Sequence, residues 1–274
     1  MIQDHETLKL CLELAKISKA AYAGPINHRQ YTLKGEPFTD QKIIHGSHHR
    51  GYCRVFWNDT YAAIAFRGTR ESVDWSIANF KAFPVPLRDC DLEKPVRVHR
   101  GFQRTLDYGD KTTRLRSLDA IFSHLEEHGL LEKRIVITGH SMGGALALLF
   151  AVKFRARYQR RCDQALDAIV TFAAPSVGLR SFKRLYGDLA PKTLRFVNDT
   201  DIVPFTPPAF YHHVGEEIWL RGEIGRKNPG WPRRFAAAVR NRFQNAISDH
   251  AITQYICKIE ERIAHSALQQ QNNS

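Results

Sequence analysis

The chain has 274 residues, 43% of them hydrophobic and 25% charged, a composition that suits one globular domain with a large core. Its formal net charge of +12 is concentrated in KFRARYQRR at 153–161 and in the acid-free stretch GRKNPGWPRRFAAAVRNRFQNAIS at 225–248. No apolar run approaches the ~20 residues that span a bilayer, and the five cysteines are scattered without a C-x-x-C pair, against both a disulfide framework and a zinc site.

Taken in chain order, the N-terminal stretch repeats Leu10, Leu14, Ile17 and Ala21 at helical spacing, which predicts an amphipathic helix. Lys9, Glu13, Lys16 and Lys19 interrupt it, so it does not read as a secretory signal, and the expectation is a cytoplasmic protein. YCRVFW (52–57) and YAAIAFRG (61–68) flank Asn58-Asp59-Thr60 and predict an antiparallel hairpin. A helical pattern follows over 102–128, then the strand RIVITG (134–139), a helix over 142–159 and the strand LDAIVTFAAP (166–175). A helix near 180–189, the strand TLRFVN (193–198) and a strand within YHHVGEEIWL (211–220) complete the series. From 134 onward the strands are near-continuous apolar runs, the mark of burial on both faces. Strands alternating with helices imply crossover connections, so the fold class is α/β: a mostly parallel sheet covered on both faces, with an antiparallel start. One domain over 1–274 accommodates it.

RIVITGHSMGGALALLF (134–150) places Ser141 on a turn between a buried strand and a helix, with Gly139, Gly143 and Gly144 around it. This is G-x-S-x-G in the strand–turn–helix setting of a nucleophile elbow, where the glycines let the backbone double back and lift the hydroxyl clear of the sheet. A glycine-rich helix start with Ser141 as a plain N-cap is the alternative. A serine hydroxyl attacks only when a base takes its proton and an acid orients that base. In the elbow-bearing fold the chain order is serine, acid, histidine. DTDIVPFTPP, after TLRFVN, offers Asp199 and Asp201 as acids, and the residues alone do not separate them. Among the later histidines, His212 and His213 lie on or beside a strand and His265 lies near the polar C-terminal end. His250, in ISDHAITQYI between a loop and a helix, is the candidate base. Negative charge developing on the substrate calls for two N–H donors. The residue after the nucleophile, Met142, supplies one. The loop that leaves the strand at Gly68 and Thr69 supplies the other, with the Thr69 hydroxyl as a further donor.

These stretches together resemble the class 3 lipase family, the fungal triacylglycerol-lipase-like branch of the α/β-hydrolases. The resemblance rests on FRGT (66–69), DW (74–75), VHRGF (98–102), TGHSMGGALA (138–147), N-x-x-D-I-V-P (198–204) and the D-H pair at 249–250. It implies an α/β-hydrolase fold, a Ser141–Asp201–His250 triad and an oxyanion hole from Thr69 and Met142. It also favours Asp201 over Asp199, because the family acid immediately precedes I-V-P. His99 and His213 fall on recurrent family positions and read as structural. The family's secreted members carry a signal peptide and disulfides, and this sequence shows neither.

By the same resemblance, 76–95 is the lid candidate over an acyl pocket, with Trp75, Phe80 and Phe83 as substrate or lid residues; the alternative is that these side chains cap the core. Within the basic insertion 221–247, Phe235, Val239, Phe243 and Ile247 fall at helical spacing beside Arg233, Arg234, Arg240 and Arg242. That pattern fits an anionic membrane surface, and equally an ordinary helix packed on the core. The expected activity is hydrolysis of lipid acyl esters, as a triacylglycerol lipase or esterase, with no metal and no organic cofactor. A phospholipase A1 or an acyltransferase would use the same chemistry. A catalytically inactive module that binds lipid or a partner is the reading from another class. Nucleic acid is not an expected partner, since no recognition motif or stacking aromatic accompanies the charge.

Overall fold

A computed structural model of the chain describes residues 4–46, 51–68, 83–109, 115–198, 201–207, 210–220, 233, 236 and 249–272. A seven-stranded sheet organises them. Its strands are β1 (Asp40–His45), β2 (Gly51–Trp57), β3 (Tyr61–Phe66), β4 (Arg134–His140), β5 (Leu166–Phe172), β6 (Thr193–Asn198) and β7 (Glu216–Leu220). They lie side by side in the order β7-β6-β5-β4-β3-β2-β1. The pairs from β3 to β7 are parallel, and β1–β2 and β2–β3 are antiparallel. The β2–β3 hairpin closes as predicted, with the Asn58 side-chain oxygen accepting from Thr60 N–H at 3.0 Å and Tyr61 N–H at 2.7 Å.

Successive residues of the central strands serve two different cores, so no polar alternation interrupts the sequence. Ala62, Ile64, Phe66, Ile135, Ile137 and Ile169 face helices α2 (Arg100–Asp107), α3 (Ser117–Glu127) and α4 (Met142–Tyr158). Ala63, Ala65, Val136, Val170, Phe172 and Phe196 face α1 (His5–Ala20) and the C-terminal helix Ile252–Asn272. Helix α1 is the amphipathic helix expected, capped by Asp4, whose carboxylate accepts from Thr7 N–H at 2.9 Å. The polar strand β1 was not foreseen. It is an edge strand in which Ile44 is buried and the rest is half-exposed or exposed, so it carries little apolar signal.

One expectation changes. The single helical pattern at 102–128 divides into α2 and α3, with a bridge between Gly109 and Arg116; residues 110–114 lie outside the described residues. No apolar residue between Leu106 and Leu115 marks a continuing buried face. The C-terminal histidine, His265, sits within a helix that runs to Asn272. The basic cluster at 153–161 is partly buried. Lys153 is buried, and its ammonium donates to Arg88 carbonyl and to Asp89 Oδ2, each at 2.8 Å. Burial alone would raise the Asp89 carboxyl, but hydrogen bonds and charge from Lys153 and Arg116 hold it below its ordinary range. Arg157 and Arg161 pair with Glu126 and Glu132.

A second sheet of four short antiparallel strands lies in the order Tyr211–His212, Gly178–Leu179, Arg97–His99, Pro84–Pro86. It takes up part of the lid candidate. Val85 pairs with Val98, and Leu87 is buried, donating its N–H to Val96 carbonyl at 2.7 Å. Phe83 at the start of this segment is 59% exposed, so it does not cap the core. Residues 76–82, with Phe80, lie outside the described residues, as do Trp75 and all of 221–247 apart from Arg233 and Ala236. No helix among the described residues is long and apolar enough to cross a membrane, and all five cysteines are free thiols.

Candidate active site

The turn at Ser141 is built as the sequence predicts. Ser141 has φ +59° and ψ −132°, a backbone state that L-residues rarely adopt. It is stabilised from both sides: Ser141 N–H donates to Phe172 carbonyl on β5 at 2.9 Å, and Gly144 N–H donates to Ser141 carbonyl at 2.9 Å. The flanking glycines are sterically required. A β-carbon at Gly139 would lie 2.3 Å from Gly143 carbonyl oxygen, and one at Gly143 would lie 2.2 Å from Phe66 carbonyl oxygen on β3. Helix α4 starts at Met142, so its first N–H groups and their partial positive charge lie beside the serine.

Three distant segments converge on that hydroxyl. His250, just ahead of the C-terminal helix, places Nε2 2.9 Å from Ser141 Oγ. Its Nδ1 lies 3.1 Å from Asp201 Oδ1 and 3.0 Å from Oδ2. Asp201 follows β6 and is fully buried, so each carboxylate oxygen needs a partner. Oδ1 accepts from Val203 N–H at 2.9 Å and Oδ2 from the Tyr255 hydroxyl at 2.6 Å. Tyr255 in turn accepts from Asn198 N–H at 3.0 Å, and Asn198 Nδ2 donates to Asp249 carbonyl at 2.8 Å, tying the end of β6 to the histidine segment. Burial and the Asp201 charge both push the Tyr255 hydroxyl far above its ordinary range, so it stays a donor.

The other candidates separate cleanly. His213 directs its Nε2 at Pro204 carbonyl, 2.6 Å away. His99 caps α2 by accepting from Gly101 N–H at 3.1 Å, and burial lowers its pKa to about 4, a neutral structural ring. Asp199 and Thr69 lie outside the described residues; Gly68, at the end of the strand that leads to Thr69, is described. One contributor was missed by sequence reasoning. Tyr255 reads only as one more apolar residue on a helix face, and no local pattern marks it, because it meets Asp201 across 54 residues of chain.

Residues 63–211 match the family described as lipase (class 3). The chain belongs to the class 3 lipase family. Among curated relatives it is 32% identical over 196 residues to phospholipase A1-Igamma2, chloroplastic, of Arabidopsis thaliana, covering 58% of this chain and 36% of that protein. It is 32% identical over 163 residues to a lipase of Rhizomucor miehei, covering 57% of this chain and 41% of that protein. Phospholipase A1-IIgamma of Arabidopsis thaliana aligns over more of it, 31% identical over 252 residues, 81% of this chain and 60% of that protein. The class 3 lipase domain here thus spans less than two thirds of the length of each of these relatives. Among solved structures, the Rhizomucor miehei lipase propeptide complex matches with a TM-score of 0.62 at 24% identity, over 80% of this chain and 70% of that one. A lipase from Rhizopus microsporus var. chinensis matches with a TM-score of 0.63 at 23% identity, over 80% and 76%. At that identity the likeness is one of fold, and the fold is that of the α/β-hydrolases.

Proposed function

We propose that this class 3 lipase family protein is a serine carboxylester hydrolase acting on lipid acyl esters. The observation that carries the proposal is the relay from Ser141 Oγ to His250 Nε2 at 2.9 Å and from His250 Nδ1 to Asp201 at 3.0 and 3.1 Å. In this reading His250 takes the Ser141 proton as the hydroxyl attacks the ester carbonyl, and the oxyanion is met by N–H groups of Met142 and the Thr69 loop. The imidazolium then protonates the leaving alcohol, and the acyl group remains on Ser141. Water deprotonated by His250 releases the fatty acid. Asp201, buried and fixed by Val203 N–H and Tyr255, keeps the proton on His250 Nδ1 and stabilises the charged ring. Every step is supplied by side chains and backbone, so the chemistry calls for no metal or organic cofactor.

Both substrate classes have support. Relatives named phospholipase A1 and a relative named lipase match at similar identity, so glycerolipid esters with or without a phosphate head group are the substrates to try. The +12 net charge adds weight to anionic glycerophospholipids, because a cationic protein concentrates at an acidic lipid surface. The test is a panel of p-nitrophenyl esters, triacylglycerols and phospholipids with Ser141→Ala and Asp201→Asn alongside. Ser141→Ala should abolish turnover on every ester cleaved. Asp201→Asn should lower kcat by roughly 10⁴ with the fold intact, because the amide favours the wrong imidazole tautomer. Turnover that survives Ser141→Ala would overturn the proposal.

A further inference from the structure

Beside the proposed triad runs a second chain of hydrogen bonds. His140, the residue before Ser141, is 5% exposed and directs Nε2 at His250 carbonyl oxygen, 2.7 Å away. A carbonyl only accepts, so His140 carries its proton on Nε2 and Nδ1 is left as an acceptor. The Tyr22 hydroxyl, from the turn after α1, lies 2.9 Å from that Nδ1 and 3.3 Å from His140 carbonyl oxygen. Nδ1 is the acceptor that requires the proton. Gly68 N–H, at the end of the β3 segment, then donates to the Tyr22 oxygen at 3.1 Å. The polarity therefore runs one way, from Gly68 N–H through Tyr22 O–H and His140 to the carbonyl of His250.

Gly68 itself testifies to how tightly this chain is packed. A β-carbon there would lie 2.3 Å from the Tyr22 hydroxyl, 2.7 Å from His140 carbonyl oxygen and 3.1 Å from Ser141 Cβ. No larger residue fits while Tyr22 keeps its place. The His140 ring also lies against that of His250, centroids 4.8 Å apart, and burial followed by the neighbouring His250 lowers its pKa to about 3. Burial thus favours the neutral ring.

We infer that Tyr22 and His140 are positioning residues that hold the backbone of the base His250 and the strand end leading to the Thr69 loop at a fixed spacing across Ser141. They act by setting where the His250 ring and the Gly68 end sit. This rests on the triad reading above, and kinetics can separate the two.

The experiment compares Tyr22→Phe, His140→Gln, His140→Leu and Ser141→Ala on a soluble p-nitrophenyl ester, with fluorophosphonate labelling rates and thermal melts. Small displacements of reacting groups cost on the order of 10²-fold in rate. Tyr22→Phe and His140→Leu should therefore lower kcat and the labelling rate by roughly 10- to 100-fold, leaving KM within about twofold. Glutamine reproduces both polarities, an N–H for His250 carbonyl and an oxygen for Tyr22, so His140→Gln should keep activity within a few-fold of wild type. A merely structural role would instead track the melts, and glutamine would not rescue. Wild-type rates in Tyr22→Phe, or equal losses in His140→Gln and His140→Leu, would overturn the inference while leaving an inactive Ser141→Ala to support the triad. An active Ser141→Ala would remove the triad reading itself.

Discussion

Tyr255 and Asp201 are locked together: the phenol donates to Oδ2 at 2.6 Å, and the two side chains are both fully buried. Tyr255 also accepts from Asn198 N–H, so Tyr255→Phe takes one partner from each of two buried groups, Asn198 N–H and Asp201 Oδ2. Burying an unsatisfied group costs about 1–3 kcal/mol. A urea melt of Tyr255→Phe should show its midpoint lowered with an unchanged slope. Turnover should fall less than in Asp201→Asn, because Val203 N–H still holds Oδ1.

Ser141 Oγ and His250 Nε2 lie 2.9 Å apart, and under the proposed mechanism they act as one unit, so their losses should not add. Ser141→Ala and His250→Ala should each remove roughly 10⁶ of kcat, and the double variant should be no worse than either. Steady-state rates of the three variants decide it. Multiplicative losses would show that the two side chains act independently.

The Lys153–Asp89 pair should respond asymmetrically. Lys153 is fully buried, while the Asp89 side chain is 29% exposed and keeps Arg116 as a second partner. Lys153→Met should therefore cost little, whereas Asp89→Ala strands a buried ammonium and should cost about 3–5 kcal/mol. Denaturant melts of the two variants test the asymmetry. Equal costs would mean that water reaches the ammonium.

The basic insertion carries a separate expectation. Four Lys or Arg residues near an anionic bilayer contribute about 1 kcal/mol each, up to roughly a thousandfold in affinity at low salt. Replacing Arg233, Arg234, Arg240 and Arg242 with Gln should weaken co-sedimentation with acidic vesicles, and added salt should do the same to the wild type. Hydrolysis of a soluble short-chain ester should stay unchanged. Equal vesicle binding by both proteins would return these arginines to a solvated helix face.

What the sequence determined by itself was the local chemistry. Ile135–Val136–Ile137 against Gly139-His140-Ser141-Met142-Gly143 dictates a buried strand, a sharp turn and a helix, because only glycine fits where backbone oxygens of Gly143 and Phe66 would meet a β-carbon. The parallel core strands were legible for a similar reason, since each residue had to serve an apolar core on one face or the other. The edge strand Asp40–His45 was not, because solvent on its outer side leaves it polar. His250 was legible from its place between a loop and a helix, but the choice of acid exceeded the residue pattern: Asp199 and Asp201 share a loop, the family resemblance favoured Asp201, and the structure brings Asp201 to His250 and Tyr255. Tyr22, Tyr255 and the His140–His250 bond belong wholly to the tertiary structure. Their partners lie 118, 54 and 110 residues away, and contacts at that separation are set by how helices pack on a sheet, which no local spacing encodes.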